Sequence, residues 1–478
     1  MTPDTPPAAS GYLERQFKLT RLGTSVSREA IAGCTTFAAM AYILVVNPLI
    51  LKDAGMPQAA LVTATAVGAA IASLLMAFLA NFPLALAPGM GINAFFAYTV
   101  CLGMGIPWQS ALALVFINGC IFLLLSLTGV RERIVNALPN SLKAAVCAGV
   151  GLFIGFIGLK NGGLVVANPA TFVSLGDLSN PSVALFGVGV LLTCVLVARG
   201  TPGAIIISMA IITAIGFFVS NGKGGTITQM PTSILSLPAS IEPTFLKLDF
   251  TFLFKEPLKA IPVILTLLLV DLFDNIGTLI GVTKRAGLMD KNGHVPGLSR
   301  ALTADSLAAI VSSLLGTSTV VSYIESATGV QAGGRTGLTS VVVAILFLLA
   351  LFLTPIILMI PGVAVAPALV VVGILMFESV SEIDLTRFEV SAPAILTLMT
   401  MPMTFSISTG IGIGLIALAA ISLGTMNRKG KASAVTELHR EFEESPPVRP
   451  RDLTPFTYAL AVVFLLHFFE RWIFAWFK

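Results

Sequence analysis

Charge is what this chain has least of. Asp, Glu, Lys and Arg make up 11% of its 478 residues, and 56% are hydrophobic, whereas a soluble domain carries about a quarter charged residues. No charged residue occurs between Asp53 and Arg131. That is more chain than three crossings of a ~30 Å hydrocarbon layer need at about 20 residues each. The composition excludes a soluble globular protein and a nucleic-acid binder, and makes the lipid bilayer the chain's first partner. The apolar runs are continuous rather than alternating, which excludes a β-barrel and leaves an all-α polytopic membrane protein.

Other scarcities exclude further chemistry. The five cysteines (Cys34, Cys101, Cys120, Cys147, Cys194) lie in apolar segments without CxxC spacing, and read as small core hydrophobes rather than disulfide or metal ligands. The three histidines, His294, His439 and His467, are far apart and none pairs with a cysteine, so no metal site is expected. The head "MTPDTPPAASGYLERQFKLT" lacks an apolar core with a small-residue cleavage site, so the first spanning segment is expected to act as the insertion signal. The Gly-rich "VQAGGRTG" has no Walker lysine followed by Ser or Thr, which argues against ATP-driven pumping.

What is present is a series of apolar segments, at roughly 28–50, 59–81, 84–102, 108–129, 141–160, 182–198 and 203–220. After a polar loop they resume at 259–283, 303–316, 318–334, 337–360, 365–380, 392–404 and 406–425. Threading these fourteen from a cytoplasmic N-terminus puts all but six of the 28 Lys and Arg on the cytoplasmic side. The exceptions are Lys52, Lys160, Lys223, Lys247, Lys255 and Lys259, with no arginine among them. Both termini are then cytoplasmic. Residues 426–478 read as a basic linker followed by an amphipathic helix. His467, Glu470 and Arg471 share one face of it, and an interfacial placement is expected over a fifteenth span.

Two segments carry helix-breaking residues at membrane depth. "LALAPGMGINAFFAYTV" opens the third, and "LGTSTVVSYIESATGVQAGG" forms the tenth. Unwound backbone survives there only where it is buried in protein or lines a cavity. Broken segments at matching places in two halves mark the substrate site of a carrier.

Polar residues gather in the same region. An intramembrane carboxylate costs about 2.5–3.5 kcal/mol on insertion scales, so Asp271, Asp274 and Glu325 need a purpose. Asp271 and Asp274, one helical turn apart, face roughly one side; such acids can bind and release a proton, the chemistry of a proton-coupled carrier. Asn93 both donates and accepts hydrogen bonds, and Phe95, Phe96 and Tyr323 offer rings against which a flat ligand can stack. Asp305 reads as a structural acid near a helix start, and Asn47 and Asn118 as interhelical hydrogen-bonders.

At these residues the chain resembles the AzgA-like purine permeases of the nucleobase–cation symporter-2 superfamily. The resemblance rests on "LALAPGMGINAFFAYT", "GLFIGFIGLKNGGLVVANPATFVSLGDL", "VDLFDNIGTLIGVTKRAGLMD", "ALTADSLAAIVSSLLGTSTVVSYIESATGVQAGGRTGLT" and "APALVVVGILM", in family order between residue 15 and about 425. It implies fourteen segments as two inverted repeats of seven. A core domain would comprise 28–135 and 259–360, and a gate domain 136–225 and 361–425, with the extracytoplasmic loop 226–258 between the halves. Short strands would break segments 3 and 10. The resemblance also implies a purine site at Asn93, Asp271, Asp274 and Glu325, with more weight on Asp274 and Glu325 than on Asp271. No cofactor is implied beyond a coupling proton.

The expected function is import of adenine, hypoxanthine or guanine by proton symport across a cell inner membrane, with core and gate moving to alternate access. The motifs are compatible with adenine or with hypoxanthine/guanine carriers, and the resemblance suggests a homodimer through the gate domains. Two other readings remain at this point. An anion exchanger of the same general fold would want a positive site, against which three acids argue. An intramembrane aspartyl protease would need catalytic acids from two helices meeting across a dyad, whereas Asp271 and Asp274 share one turn; spacing does not exclude the pair Asp274 and Glu325.

Overall fold

The computed structural model describes residues 11–128, 139–221, 224–231, 233–288, 295, 297–425 and 454–468. Among them, nine helical stretches are long and apolar enough to cross a membrane. The first, Val26–Asp53, is two helices, α1 (Val26–Met40) and α2 (Ile43–Asp53), joined by a turn at Ala41–Tyr42. There follow α3 (Gln58–Leu75), strand β1 (Leu86–Pro88), α4 (Met90–Ala94), α5 (Trp108–Thr128) and α6 (Asn140–Asn161). A hairpin of β2 (Val165–Asn168) and β3 (Phe172–Leu175) precedes α7 (Pro181–Ala198) and α8 (Ala204–Gly216). The second half runs through α9 (Pro257–Arg285), α10 (Leu298–Leu315), β4 (Val320–Ser322), α11 (Ser326–Gln331), α12 (Gly337–Ala350), α13 (Gly362–Phe377), α14 (Phe388–Thr404) and α15 (Ile407–Thr425). Helix α16 (Pro455–Phe468) closes the described chain.

The helices pack in two sets. In the first, α10 lies on α5 and α3, α12 on α3 and α1, and α11 on α1; in the second, α13 lies on α6, α7 and α8, and α14 on α6 and α15. Lipid supplies little hydrophobic drive between helices, so close backbone approach through small residues does the joining. The α6–α13 contact shows how tight this is. A Cβ on Gly151 would stand 2.7 Å from the Gly373 carbonyl oxygen, and one on Gly373 would stand 2.5 Å from that of Gly151. Helix α9 and the short α4 bridge the sets, both touching α6.

Helix α16 packs on α15: Tyr458 hydrogen-bonds Ser422 at 2.8 Å, while Phe464 and Phe468 sit over Gly412, so the two helices run antiparallel. The absence of a side chain at Gly412 is what admits the two rings. Glu470 and Arg471 lie outside the described residues. One expectation changes: Asp305 is not near a helix start. Helix α10 begins at Leu298, which places Asp305 two turns in and buried.

Candidate functional site

The two broken segments meet. Strand β1 pairs antiparallel with β4, setting Leu86 opposite Ser322, Ala87 opposite Val321 and Pro88 opposite Val320. Proline has no amide to give, and the neighbouring Gly89 amide donates instead to the Thr319 carbonyl at 3.0 Å. Each unsatisfied backbone group at this depth would cost several kcal/mol, and side chains take up those the two-stranded ladder leaves. The Leu86 amide donates to Ser73 Oγ at 3.1 Å, the Ala85 amide to Ser326 Oγ at 3.0 Å, and the Ser322 amide to Asn275 Oδ1 at 2.8 Å. Ser340 gives its hydroxyl to the Phe82 and Leu84 carbonyls at 2.9 and 2.8 Å.

Both strands run straight into half-helices, α4 and α11, and a cavity lies at that junction. Met90 and Gly91 line it from one half, Tyr323, Ile324 and Glu325 from the other, with Thr278 of α9 beside them; Val372 and Met376 of α13 face them from the second helix set. Gly91 belongs here for want of a side chain, since a Cβ would stand 2.6 Å from Val150 of α6. Glu325 is half-buried, and its Oε1 accepts a 2.6 Å hydrogen bond from the Tyr42 hydroxyl at the α1–α2 turn. Tyr323 also lines the cavity, but its hydroxyl is spent on the Pro88 carbonyl at 2.6 Å.

Asn93, Phe95, Phe96 and Asp271 do not line this cavity. Asn93 is fully buried, with Oδ1 accepting from the Ser318 hydroxyl and with no hydrogen-bond partner for Nδ2 among the described residues. Phe95 and Phe96 are buried in the apolar core rather than at the cavity wall. Asp271 is buried beneath β4, accepting from Asn275 at 2.7 Å and Asn118 at 3.3 Å. The same Asn275 amide donates to Asp305 at 3.0 Å. Asp274 is on α9 between Asp271 and Thr278, and its side chain lies outside the described ones. Asn47 donates to Thr65 and Thr317 at 2.6 and 3.0 Å, an interhelical role.

Sequence reasoning missed Tyr42 and Asn275. Tyr42 sits in an uncharged stretch, "AAMAYILVV", that gives no sign of its partner. Asn275 carried a readable sign, since it stands at i+4 from Asp271 and immediately after Asp274.

A multi-pass helical membrane protein whose two interrupted segments pair at a half-buried carboxylate has the architecture of a secondary carrier. Residues 27–413 match the Permease family (Xan_ur_permease), and the chain belongs to that family. It is similar to the adenine permease AdeP of Escherichia coli, at 40% identity over 97% of each chain, and to the guanine/hypoxanthine permease PbuG of Bacillus subtilis, at 43% over 95% of this chain and 98% of that one. The putative permease MJ0326 of Methanocaldococcus jannaschii is 45% identical over 82% of this chain and 88% of its own length. In fold the chain is like the transmembrane domain of the cyanobacterial bicarbonate transporter BicA, with a TM-score of 0.58 at 16% identity, covering 81% of this chain and 97% of that one. SLC26A9 gives 0.60 at 13% identity, over 87% and 68%. The protein is a permease and not an enzyme, which removes the protease reading.

Proposed function

We propose that this permease imports purine nucleobases by proton symport across a cell inner membrane, with both termini cytoplasmic. The observation that carries the reading is Glu325. It is an acid at the start of a half-helix, facing a cavity between the two helix sets, where a base's ring N–H groups find an acceptor. AdeP and PbuG, named for adenine and for guanine and hypoxanthine, support purines as the substrate class. One proton entering at 100 mV supplies about 2.3 kcal/mol, enough for roughly 50-fold accumulation of a neutral base.

In this reading the chain has fourteen segments as two inverted repeats. The first helix set is the core that carries the site, the second is the gate through which the protein dimerises, and alternating access is core sliding against gate. The likeness to bicarbonate and SLC26 transporters concerns fold; an acid at the cavity suits a donor-bearing base better than an anion.

The test is uptake of radiolabelled hypoxanthine into proteoliposomes under an inward proton gradient, with adenine, guanine, uracil and sulfate as competitors. Accumulation that collapses with a protonophore and yields only to purines supports the proposal. Absence of hypoxanthine uptake, with labelled sulfate entering the same vesicles, would establish the anion reading instead.

A further inference from the structure

Tyr42 is an odd residue to find at this cavity. The residue is 1% exposed and packed in the main apolar core, yet it lines the cavity and its hydroxyl meets Glu325 Oε1 at 2.6 Å. The turn at Ala41–Tyr42 breaks the first spanning stretch at this point, so the side chain is held by two helix ends rather than by a flexible loop. Glu325 has no other side-chain partner among its described hydrogen bonds. A tyrosine hydroxyl carries one proton to donate, and an ionised carboxylate can only accept. Side by side, the two groups present a donor and an acceptor to whatever planar ring enters.

We propose that Tyr42 and Glu325 form a donor–acceptor pair that reads two neighbouring atoms on one edge of the base, Glu325 taking an N–H and Tyr42 giving its proton to the adjacent acceptor. This rests on the purine reading above and adds Tyr42 to it as a recognition residue. Tyr42 donates to Glu325 here. On binding, the Tyr42 proton turns from Glu325 to the base, and one internal hydrogen bond is exchanged for two to the ligand. Hypoxanthine suits the pair, with its 6-oxo acceptor beside the N1–H donor. Tyr323, the nearby alternative, is excluded because its hydroxyl is spent on the Pro88 carbonyl. Thr278 lines the cavity from α9, outside the bonded pair.

The test is equilibrium binding of hypoxanthine and 6-mercaptopurine to the purified full-length protein, wild type and Tyr42→Phe. Both ligands carry N1–H, but sulfur is the poorer acceptor, so the ratio of their affinities reports the bond to the 6-position alone. Wild type should favour hypoxanthine by about tenfold, the worth of one neutral hydrogen bond. Tyr42→Phe should weaken hypoxanthine by about that factor and leave 6-mercaptopurine within about twofold. Equal losses for both ligands, or no loss, would overturn the role of Tyr42, because a packing defect does not distinguish oxygen from sulfur. Wild-type protein that binds neither purine defeats the purine reading itself, a different and recognisable failure. Should Tyr42→Phe not accumulate in the membrane, the wild-type ratio decides: a clear preference for the oxo ligand supports the pair, and equal affinity refutes it.

Discussion

Glu29 and Thr339, 310 positions apart, meet in a 2.6 Å hydrogen bond. The same buried carboxylate also accepts from the Arg335, Thr336 and Thr339 amides at 2.8, 3.3 and 3.2 Å. An acid from α1 thus adds acceptors at the start of α12, beside the Thr336 side chain that caps Leu338, and ties the two halves of the chain together. Glu29→Ala should lower stability by about 2–4 kcal/mol, because charge-assisted bonds are lost and buried donors are orphaned. Glu29→Gln, which keeps an acceptor oxygen, should lose less. Thermal unfolding in detergent, followed by size-exclusion chromatography, ranks the variants; equal melting temperatures for all three would contradict the capping role.

The α6–α13 contact gives a second expectation. Gly373→Ala places a methyl group 2.5 Å from a backbone oxygen that cannot swing aside, and overpacking of this kind costs about 1–3 kcal/mol. Gly187→Ala on α7 is the control, because nothing stands within 4 Å of its Cβ position. A melting temperature lowered by Gly373→Ala and unmoved by Gly187→Ala is the expected pair of results.

Asn275 offers donors to two acids and an acceptor to the Ser322 amide. Asn275→Asp replaces the donor with a third acid in a buried cluster, so it should damage the protein more than Asn275→Ala, by about 3–5 kcal/mol against wild type. Uptake and melting temperature should fall together, with Asp below Ala. The reverse order would mean that Asp271 and Asp305 do not depend on that amide.

Much of this site was legible in the sequence, and the rest was hidden for a physical reason. Breaks at Pro88–Gly91 and before Glu325 could be read because backbone at membrane depth has few permitted forms. The cost of intramembrane charge points to Asp271, Asp274 and Glu325 in the same way, but it does not say which of them faces the cavity. That depends on the roll of α9, and Asp271 turns toward Asn118 and Asn275. Asn93, Phe95 and Phe96 were read from their nearness to the break, yet they are buried and none lines the cavity. Tyr42 left no trace, since an uncharged aromatic in an apolar run looks like any other core residue.

Glu325→Gln should separate binding from coupling. The amide keeps an acceptor for the base but carries no titratable proton, so concentrative uptake should be lost while exchange of labelled for unlabelled base across the bilayer survives. Uphill accumulation at the wild-type level in this variant would remove Glu325 from the proton path.

At the ends of α2 and α6, Tyr98 donates to Asp53 at 2.8 Å and accepts from Asn161 at 3.3 Å, while Lys160 sits 5.1 Å from the centre of the Phe405 ring. These contacts close the two helix sets against each other at the end away from Glu29. Tyr98→Phe should loosen that end and raise the rate at which a membrane-impermeant maleimide modifies the buried Cys101 several-fold, read by mass spectrometry. An unchanged rate would mean that the closure does not depend on the tyrosine hydroxyl.

The strand pair has a consequence for how the protein is made. Ala85 and Ser326, which hydrogen-bond beside it, are 241 positions apart, so half the chain must already be synthesised and inserted before its partner strand exists. Until then the β1 backbone has no ladder partner. The site is a late product of biogenesis, and damage in the second half reaches it as surely as damage in the first. Two separately translated fragments, divided in the polar stretch before α9, would between them hold the groups that bond the strand pair, Ser73 on one and Asn275 and Ser326 on the other.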